Sequence, residues 1–290
     1  MAQKPTKTLT SKPEPKTTGH SWDGIEEYDN PMPRWWLWTF YATIIWGVLF
    51  MIAYPAWPLI SGATPGLLGY STRSEVAADI GMFSEANGEI AARLAAADVT
   101  AIASDAVLQS YAVNAGAAVF KTSCIQCHGA GAAGTGIYPN LIDDDWLWGG
   151  NIDDIALTIR HGIRSAVDDD TRFSQMPAFG DFLEEQEITG VANFVRALGG
   201  LEHDAAMAAR GAVVFEENCA SCHGADGTGE RELGAPNLTD FIWLFGGDIQ
   251  ALTHTITIAR NSEMPAWQNR LTDAQIKAVS VYVHQLGGGE

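Results

Sequence analysis

Two short segments contain every cysteine of this 290-residue chain. They read Cys124-Ile-Gln-Cys127-His128 and Cys219-Ala-Ser-Cys222-His223. Positions i and i+3 share one face of a helix, so two sulfurs at this spacing can form thioether bonds to the two vinyl groups of one haem. The following histidine then presents its imidazole to the iron, which is why Cys-x-x-Cys-His predicts covalent haem attachment. The sequence therefore predicts two covalently attached haem c groups.

Other uses of the cysteines fit the spacing less well. A four-cysteine zinc site is disfavoured because the two pairs lie 95 residues apart, whereas such pairs usually lie about 15–20 residues apart, although distant pairs can meet in a folded chain. A thioredoxin-like redox pair would need a βαβ pattern, which the sequence lacks.

Two methionines are candidates for the sixth position of the irons. Met176 follows His128 by 48 residues, and Met264 follows His223 by 41. A proline follows each methionine, which bars a helix and favours an extended conformation. A methionine thioether opposite histidine raises the reduction potential and is typical of electron-transfer cytochromes. A methionine that only fills a gap is the alternative for one copy, but matched positions in two copies favour ligands. Spacing favours binding to the haem of the same copy, and exchange between the copies stays open.

Other residues near these loops fit a ligand role less well. His161 and His254 do not occupy corresponding positions, so we expect them to form local hydrogen bonds or face solvent. Met207 has no counterpart in the first copy. Arg164 and Arg260 are candidates for contacts with haem propionates, with a plain surface arginine as the equal alternative.

Around these motifs the chain repeats itself. Gly116-Ala-Ala-Val-Phe120 precedes the first cysteine pair and Gly211-Ala-Val-Val-Phe215 the second, and both copies end in an amphipathic helix followed by Leu-Gly-Gly. The glycines predict a close crossing with the closing helices, with Phe194 and Tyr282 as packing partners. We predict two similar domains, at 106–200 and 201–290.

An apolar segment precedes the repeats. Residues 35–54 carry no charge, and a helix of that length spans roughly 30 Å, the thickness of a bilayer core. We predict a cytoplasmic N-terminal segment at 1–34, a transmembrane helix at 35–57, and a linker at 58–105 with an amphipathic helix at 73–98. A buried soluble helix and a cleaved signal peptide are the alternatives.

Charge predicts the orientation of this anchor. Four lysines lie ahead of it, whereas only Arg73 lies in the twenty residues after it, so the positive-inside rule places the N-terminus in the cytoplasm and the haem domains in the periplasm. The lysines are Lys4, Lys7, Lys12 and Lys16. Met32, which also precedes a proline, then lies on the cytoplasmic side and is excluded as a haem ligand.

The net charge of −18 excludes nucleic acid as a partner and favours a basic protein. Acidic runs at 143–145 and 168–170 are candidates for steering such a partner, with solvated loop charge as the alternative for any single run.

The two copies resemble the class I cytochrome c fold, so the predicted fold class is all-α: one N-terminal transmembrane helix followed by two tandem class I cytochrome c domains. The segment DGIEEYDNPMPRWW at 23–36, one anchor and two such domains resemble the dihaem subunit III of cbb3-type cytochrome c oxidases. The resemblance implies a subunit of an oxidase in the bacterial inner membrane, with one pass through its lipid. It implies electron transfer from a donor cytochrome c to a mono-haem c-type subunit and a catalytic haem-copper subunit. Oxygen reduction and proton pumping would occur on the catalytic subunit, and no catalytic residue is predicted in this chain.

Two other functions share these features. A free-standing membrane dihaem cytochrome would carry the same repeats. A dihaem peroxidase would need an open iron position, which a methionine candidate for each haem disfavours.

Overall fold

A computed structural model of the chain describes residues 15–290, and it is mostly helical. The helices are α1 (Arg34–Ala53), α2 (Thr72–Ala96), α3 (Ala106–Ser123), α4 (Ile125–His128), α5 (Ile152–His161), α6 (Glu185–Leu198), α7 (Ala205–Asn218), α8 (Ala220–His223), α9 (Ile249–Ile258) and α10 (Asp273–His284). Two small antiparallel hairpins pair β1 (Thr17–Trp22) with β2 (Ile25–Tyr28) and β3 (Pro58–Leu59) with β4 (Gly62–Ala63). The predicted all-α fold class is confirmed by the helices, and the two small hairpins are additions that the sequence did not predict.

The chain forms two compact units, and the border between them follows Ser84 in α2. In the first unit, α1 has no buried residue, and among residues 15–290 it is the helix long and apolar enough to cross a membrane. A helix that buries none of its apolar side chains in protein is suited to a lipid environment. This agrees with the predicted anchor. Three of the lysines used to predict its orientation, Lys4, Lys7 and Lys12, lie outside the described residues.

The predicted linker helix is present as α2, and its two ends differ in burial. Val76 and Ile80 are 57% and 64% exposed, whereas Leu94 is fully buried in a core with Ile102 of the following turn and Val281 of α10. Lys277 Nζ donates hydrogen bonds to the carbonyls of Ala95 and Ala97 at 2.6 and 2.5 Å. The end of α2 is thus fixed to α10, because a cation there satisfies carbonyls that have no partner within the helix.

In the second unit, which begins at Glu85, α3 packs against α10 and α6 against α7. A Cβ added at Gly116 would overlap the carbonyl of Ala278, and one added at Gly211 would overlap the carbonyl of Gly190. Ring pairs flank both crossings: Phe120 with Tyr282 at 5.5 Å and Phe215 with Phe194 at 5.1 Å between centroids. The predicted glycine crossings are confirmed, but each first helix meets the closing helix of the other copy.

Each apolar core therefore combines both sequence copies. One core contains Val119 and Phe120 of α3, Ile155 and Ile159 of α5, and Ile276, Val279 and Val283 of α10. The other contains Phe215 of α7, Leu252 and Ile256 of α9, and Ile188, Val191, Ala192 and Val195 of α6. The reason lies in the connection between the copies. Only six residues join α6 to α7, and so short a connection makes consecutive helices pack side by side. That leaves α10 to cover α3.

Candidate haem sites and family membership

The two cysteine motifs fold in the same way. Each first helix ends at its first cysteine, and a single turn, α4 or α8, carries the second cysteine and the histidine. The N–H of His128 donates to Cys124 O and that of His223 to Cys219 O, both at 3.0 Å. Glycines 129 and 224 end these turns with φ of 78° and 77°, a backbone conformation that glycine adopts without steric cost. The cysteine pair and the histidine are thereby fixed in one local frame.

Both histidines are oriented by a proline carbonyl. His128 Nδ1 lies 3.1 Å from Pro139 O and His223 Nδ1 lies 3.2 Å from Pro236 O. A carbonyl only accepts, so Nδ1 carries the proton and the lone pair of Nε2 is available to a metal. Burial lowers the pKa of both histidines, against the opposing effect of the carbonyl hydrogen bonds. The imidazoles are therefore kept neutral, which is the form that binds iron.

The cysteines are unlike reactive redox cysteines, and they do not form one shared group. Burial, followed by the neighbouring cysteine, raises the pKa of Cys124 and of Cys219 to about 11, which disfavours the thiolate that a thiol nucleophile needs. Cys124 and Cys219 also belong to different cores, and in residues 15–290 no group of three potential metal-binding side chains includes a cysteine. The structure gives no support to a shared zinc site.

Each candidate methionine lies with the cysteines of the other copy. Met264 packs on the core that Cys124 also contacts, and Met176 packs on the core that contains Cys219. The preference drawn from spacing, for Met176 with Cys124 and Met264 with Cys219, was therefore wrong about which groups come together. Each methionine loop directly precedes its closing helix in the chain. Because the closing helices are exchanged between the copies, the methionine loops are exchanged with them.

The remaining candidates have local roles. His161 Nδ1 lies 3.2 Å from Asp168 Oδ1, which is a local hydrogen bond as expected, and His254 is exposed. Met207 Sδ accepts from Asn193 Nδ2 at 3.7 Å. Arg164 donates to backbone carbonyls, as does Arg260.

Sequence reasoning missed one arginine. Arg172 donates to Trp148 O at 2.9 Å and lies over the Trp148 ring; Arg260 donates to Phe245 O at 3.1 Å and lies over the Phe245 ring. Each arginine is four residues before its methionine. Trp148 and Phe245 also correspond, because each stands directly before two glycines. That match and the shared spacing to methionine are the sequence signals that identify the pair.

Comparisons with known proteins show the family of the chain. Residues 14–61 match a family described as the N-terminal domain of cytochrome oxidase-cbb3, FixP, and residues 112–195 and 206–283 match cytochrome c oxidase, cbb3-type, subunit III. The chain is thus a c-type cytochrome with two tandem cytochrome c domains behind an apolar helix. It belongs to the subunit III family of cbb3-type cytochrome c oxidases, and so is a subunit of an oxidoreductase complex.

Curated relatives of the chain carry the same description. The cbb3-type cytochrome c oxidase subunit CcoP of Cereibacter sphaeroides is 60% identical over 293 residues, covering 100% of both chains. The subunit CcoP of Rhodobacter capsulatus is 53% identical over 301 residues, again covering 100% of both. The subunit FixP of Sinorhizobium medicae is 49% identical over 275 residues and covers 95% of each. The similarity therefore extends over the anchor and both haem motifs.

Proposed function

We propose that this chain is a dihaem electron-transfer subunit that takes electrons from a donor cytochrome c and passes them to a mono-haem c-type subunit and on to a catalytic haem-copper subunit. The observation that carries this proposal is the pair of matched sites, each with a Cys-x-x-Cys-His turn, an oriented imidazole and a methionine on one apolar core. No oxygen-reducing group is assigned to this chain.

Ligation across the copies is part of the proposal. Cys124, Cys127 and His128 hold the first haem, with Met264 as its sixth ligand. Cys219, Cys222 and His223 hold the second, with Met176 as its sixth ligand. Histidine and methionine together raise the reduction potential of haem c and close the iron to ligand chemistry. Both sites thereby favour outer-sphere electron transfer over peroxidase activity.

The residues present fit a haem in each site. The donor set is one imidazole nitrogen and one thioether sulfur per iron, the pair typical of electron-transfer cytochromes c. In the second site, the buried Trp243 Nε1 has no hydrogen-bond partner among residues 15–290, although Trp243 packs on the core that contains Cys219. A haem propionate is an acceptor of the kind that this N–H lacks.

The proposed location is the bacterial inner membrane, with α1 as a single pass, the N-terminus in the cytoplasm and the haem domains in the periplasm. Two features support this orientation: the lysines ahead of α1, and a single basic residue, Arg73, in the twenty residues after it. A cysteine-reactive, membrane-impermeant reagent tests it on intact spheroplasts. Thr10→Cys or Asp144→Cys, the latter at an exposed aspartate, is introduced one at a time into the haem-loaded protein, whose own four cysteines are then bound to haem. Labelling at 144 but not at 10 agrees with the proposal, and the reverse pattern contradicts it.

Three measurements test the function itself. Haem staining and iron quantification of the purified full-length protein are expected to give two covalent haems per chain, and one haem would contradict the proposal. Met176→Ala and Met264→Ala are each expected to remove the methionine-to-iron absorption band of one ferric haem, whereas unchanged axial ligation in both variants would refute the ligand assignment. Purification in mild detergent then separates an oxidase subunit, which copurifies with the other subunits, from a free-standing carrier.

A further inference from the structure

The first copy contains an insert beside its methionine loop. Asn151 and Asp248 cap equivalent helices, α5 and α9, and Arg172 and Arg260 make equivalent contacts. In the first copy, Arg172 follows the cap residue Asn151 by 21 positions. In the second copy, Arg260 follows the cap residue Asp248 by 12. The first copy therefore has nine more residues between these two points. Because Gly162 and Ala259 both end their helices with positive φ, the extra residues fall at 163–171, which we name the insert.

The insert binds the methionine loop of the second copy. Ile163 and Met264 exchange two backbone hydrogen bonds, at 2.9 and 3.0 Å. Ser165 Oγ, which is buried, accepts from Ala266 N at 3.2 Å, and the Asp168 carboxylate accepts from Gln268 Nε2. In the described chain, no backbone hydrogen bond reaches N or O of Met176. The insert therefore fixes the loop of Met264 and has no counterpart at Met176.

Arg164 differs from the rest of the insert because it reaches both loops. Its Nε donates to Ser262 O at 2.7 Å, and its Nη1 donates to Ser174 O at 2.9 Å. These two serines are equivalent, since each stands two residues before its methionine. Arg164 also has a φ of 53°, a conformation that non-glycine residues adopt only when the surrounding structure enforces it. A planar guanidinium with donors in fixed directions can hold two carbonyls at a set separation, which a lysine ammonium cannot.

We propose that Arg164 is a positioning residue for both sixth ligands, and that Ser165 positions only Met264. This rests on the proposed ligation by Met176 and Met264. A methionine leaves its iron when its loop opens, and local opening is governed by the hydrogen bonds and packing of that loop. The stability of the methionine–iron bond at both haems therefore depends on the Arg164 side chain.

The test uses the full-length, haem-loaded protein in detergent and reads each haem separately. Met176→His removes the methionine-to-iron band of one ferric haem, so the remaining band reports the haem bound by Met264. In Met264→His, the remaining band reports the haem bound by Met176. Two quantities are measured. The first is the pH at which the remaining band is lost as pH is raised. The second is the fraction of the same haem, once reduced, that binds carbon monoxide.

We expect Arg164→Gln to lower that pH and increase carbon monoxide binding in both backgrounds, and Arg164→Lys to shift both in the same direction by less. Ser165→Ala is expected to shift the two measured quantities only in the Met176→His background, in which the remaining band reports the haem bound by Met264. Arg160→Lys is the control, because the Arg160 side chain pairs with Asp273 at 2.7 Å and is not hydrogen-bonded to a methionine loop; it is expected to change neither haem.

A shift in only one background for both Arg164 variants would overturn the proposal, and so would no shift in either. If Arg164→Gln does not fold, Arg164→Lys decides between these results. Failure of the ligand assignment looks different: Met176→His or Met264→His would then leave the band of the parent protein unchanged before any change at Arg164 is made.

Discussion

Gly116 of the first copy lies against Ala278 of the second, so closely that a Cβ at position 116 would overlap the Ala278 carbonyl and lie 2.7 Å from Cβ of Tyr282. Gly211 and Gly190 form the equivalent contact between α7 and α6. These crossings bring each closing helix, and the methionine loop before it, to the cysteines of the other copy.

Gly116→Ala and Gly211→Ala are therefore expected to destabilise the protein. A methyl group forced against backbone in a packed interface costs about 1–3 kcal/mol. Thermal unfolding of the haem-loaded protein measures the loss. Gly131→Ala is the matched control, since a Cβ at Gly131 meets nothing within 4 Å; equal stability of all three variants would show that the crossings are less close than described.

Replacement of Lys277 is expected to loosen the end of α2. Lys277→Met keeps the length of the side chain but leaves the carbonyls of Ala95 and Ala97 without their donor, and the loss of a hydrogen bond to a partly buried acceptor costs about 1 kcal/mol. Hydrogen exchange of the amides at 95–102 is expected to accelerate. Lys121→Met, at an exposed lysine of α3, serves as control, and unchanged protection in Lys277→Met would rule out this role for Lys277.

Asp145 is expected to make stability depend on pH. Burial, followed by the charges of Asp240, Asp143 and Asp144, raises the pKa of Asp145 from 3.8 to about 6. The folded protein therefore holds a proton that the unfolded chain releases between pH 4 and 6, so this contribution to stability is complete below about pH 4 and is lost as pH rises through about 6. Because the carboxyl is partly exposed, we expect a change on the order of 1 kcal/mol after solvent screening.

Asp145→Asn cannot ionise, so at pH 7.5 it is expected to be more stable than the parent protein, and the two are expected to converge near pH 4. Chemical unfolding at a series of pH values measures this difference. Asp169→Asn, at an exposed aspartate outside this group, controls for net charge. A constant difference between Asp145→Asn and the parent from pH 4 to 7.5 would refute the shifted ionisation.

Acidic charge is expected to accelerate reduction by a basic donor. With a net charge of −18, long-range attraction raises the association rate, and salt screens that attraction over about 10 Å at 0.1 M ionic strength. Stopped-flow reduction by a basic cytochrome c is expected to slow as salt increases, whereas reduction by a small neutral reagent is not. Equal salt dependence of the two reactions would exclude steering of the donor.

The sequence predicted the local parts of this structure and missed how they pair. The Cys-x-x-Cys-His turns, the methionines and the closing helices are encoded in short segments, because helix periodicity and proline act within a few residues. Which methionine meets which cysteines depends on long-range packing, and Met176 has the same local sequence pattern whether the copies exchange or not. The short connection from Leu198 to Ala205 was the available signal. The insert was also visible as a change of register between the copies, but its contacts with Met264 were not.

An experimental structure of the haem-loaded chain, with each iron resolved together with its ligands, tests the central claim most directly. The account predicts that the iron bound by His128 carries the sulfur of Met264, and that the iron bound by His223 carries the sulfur of Met176. Met176 on the iron of His128, with Met264 on the iron of His223, would contradict it.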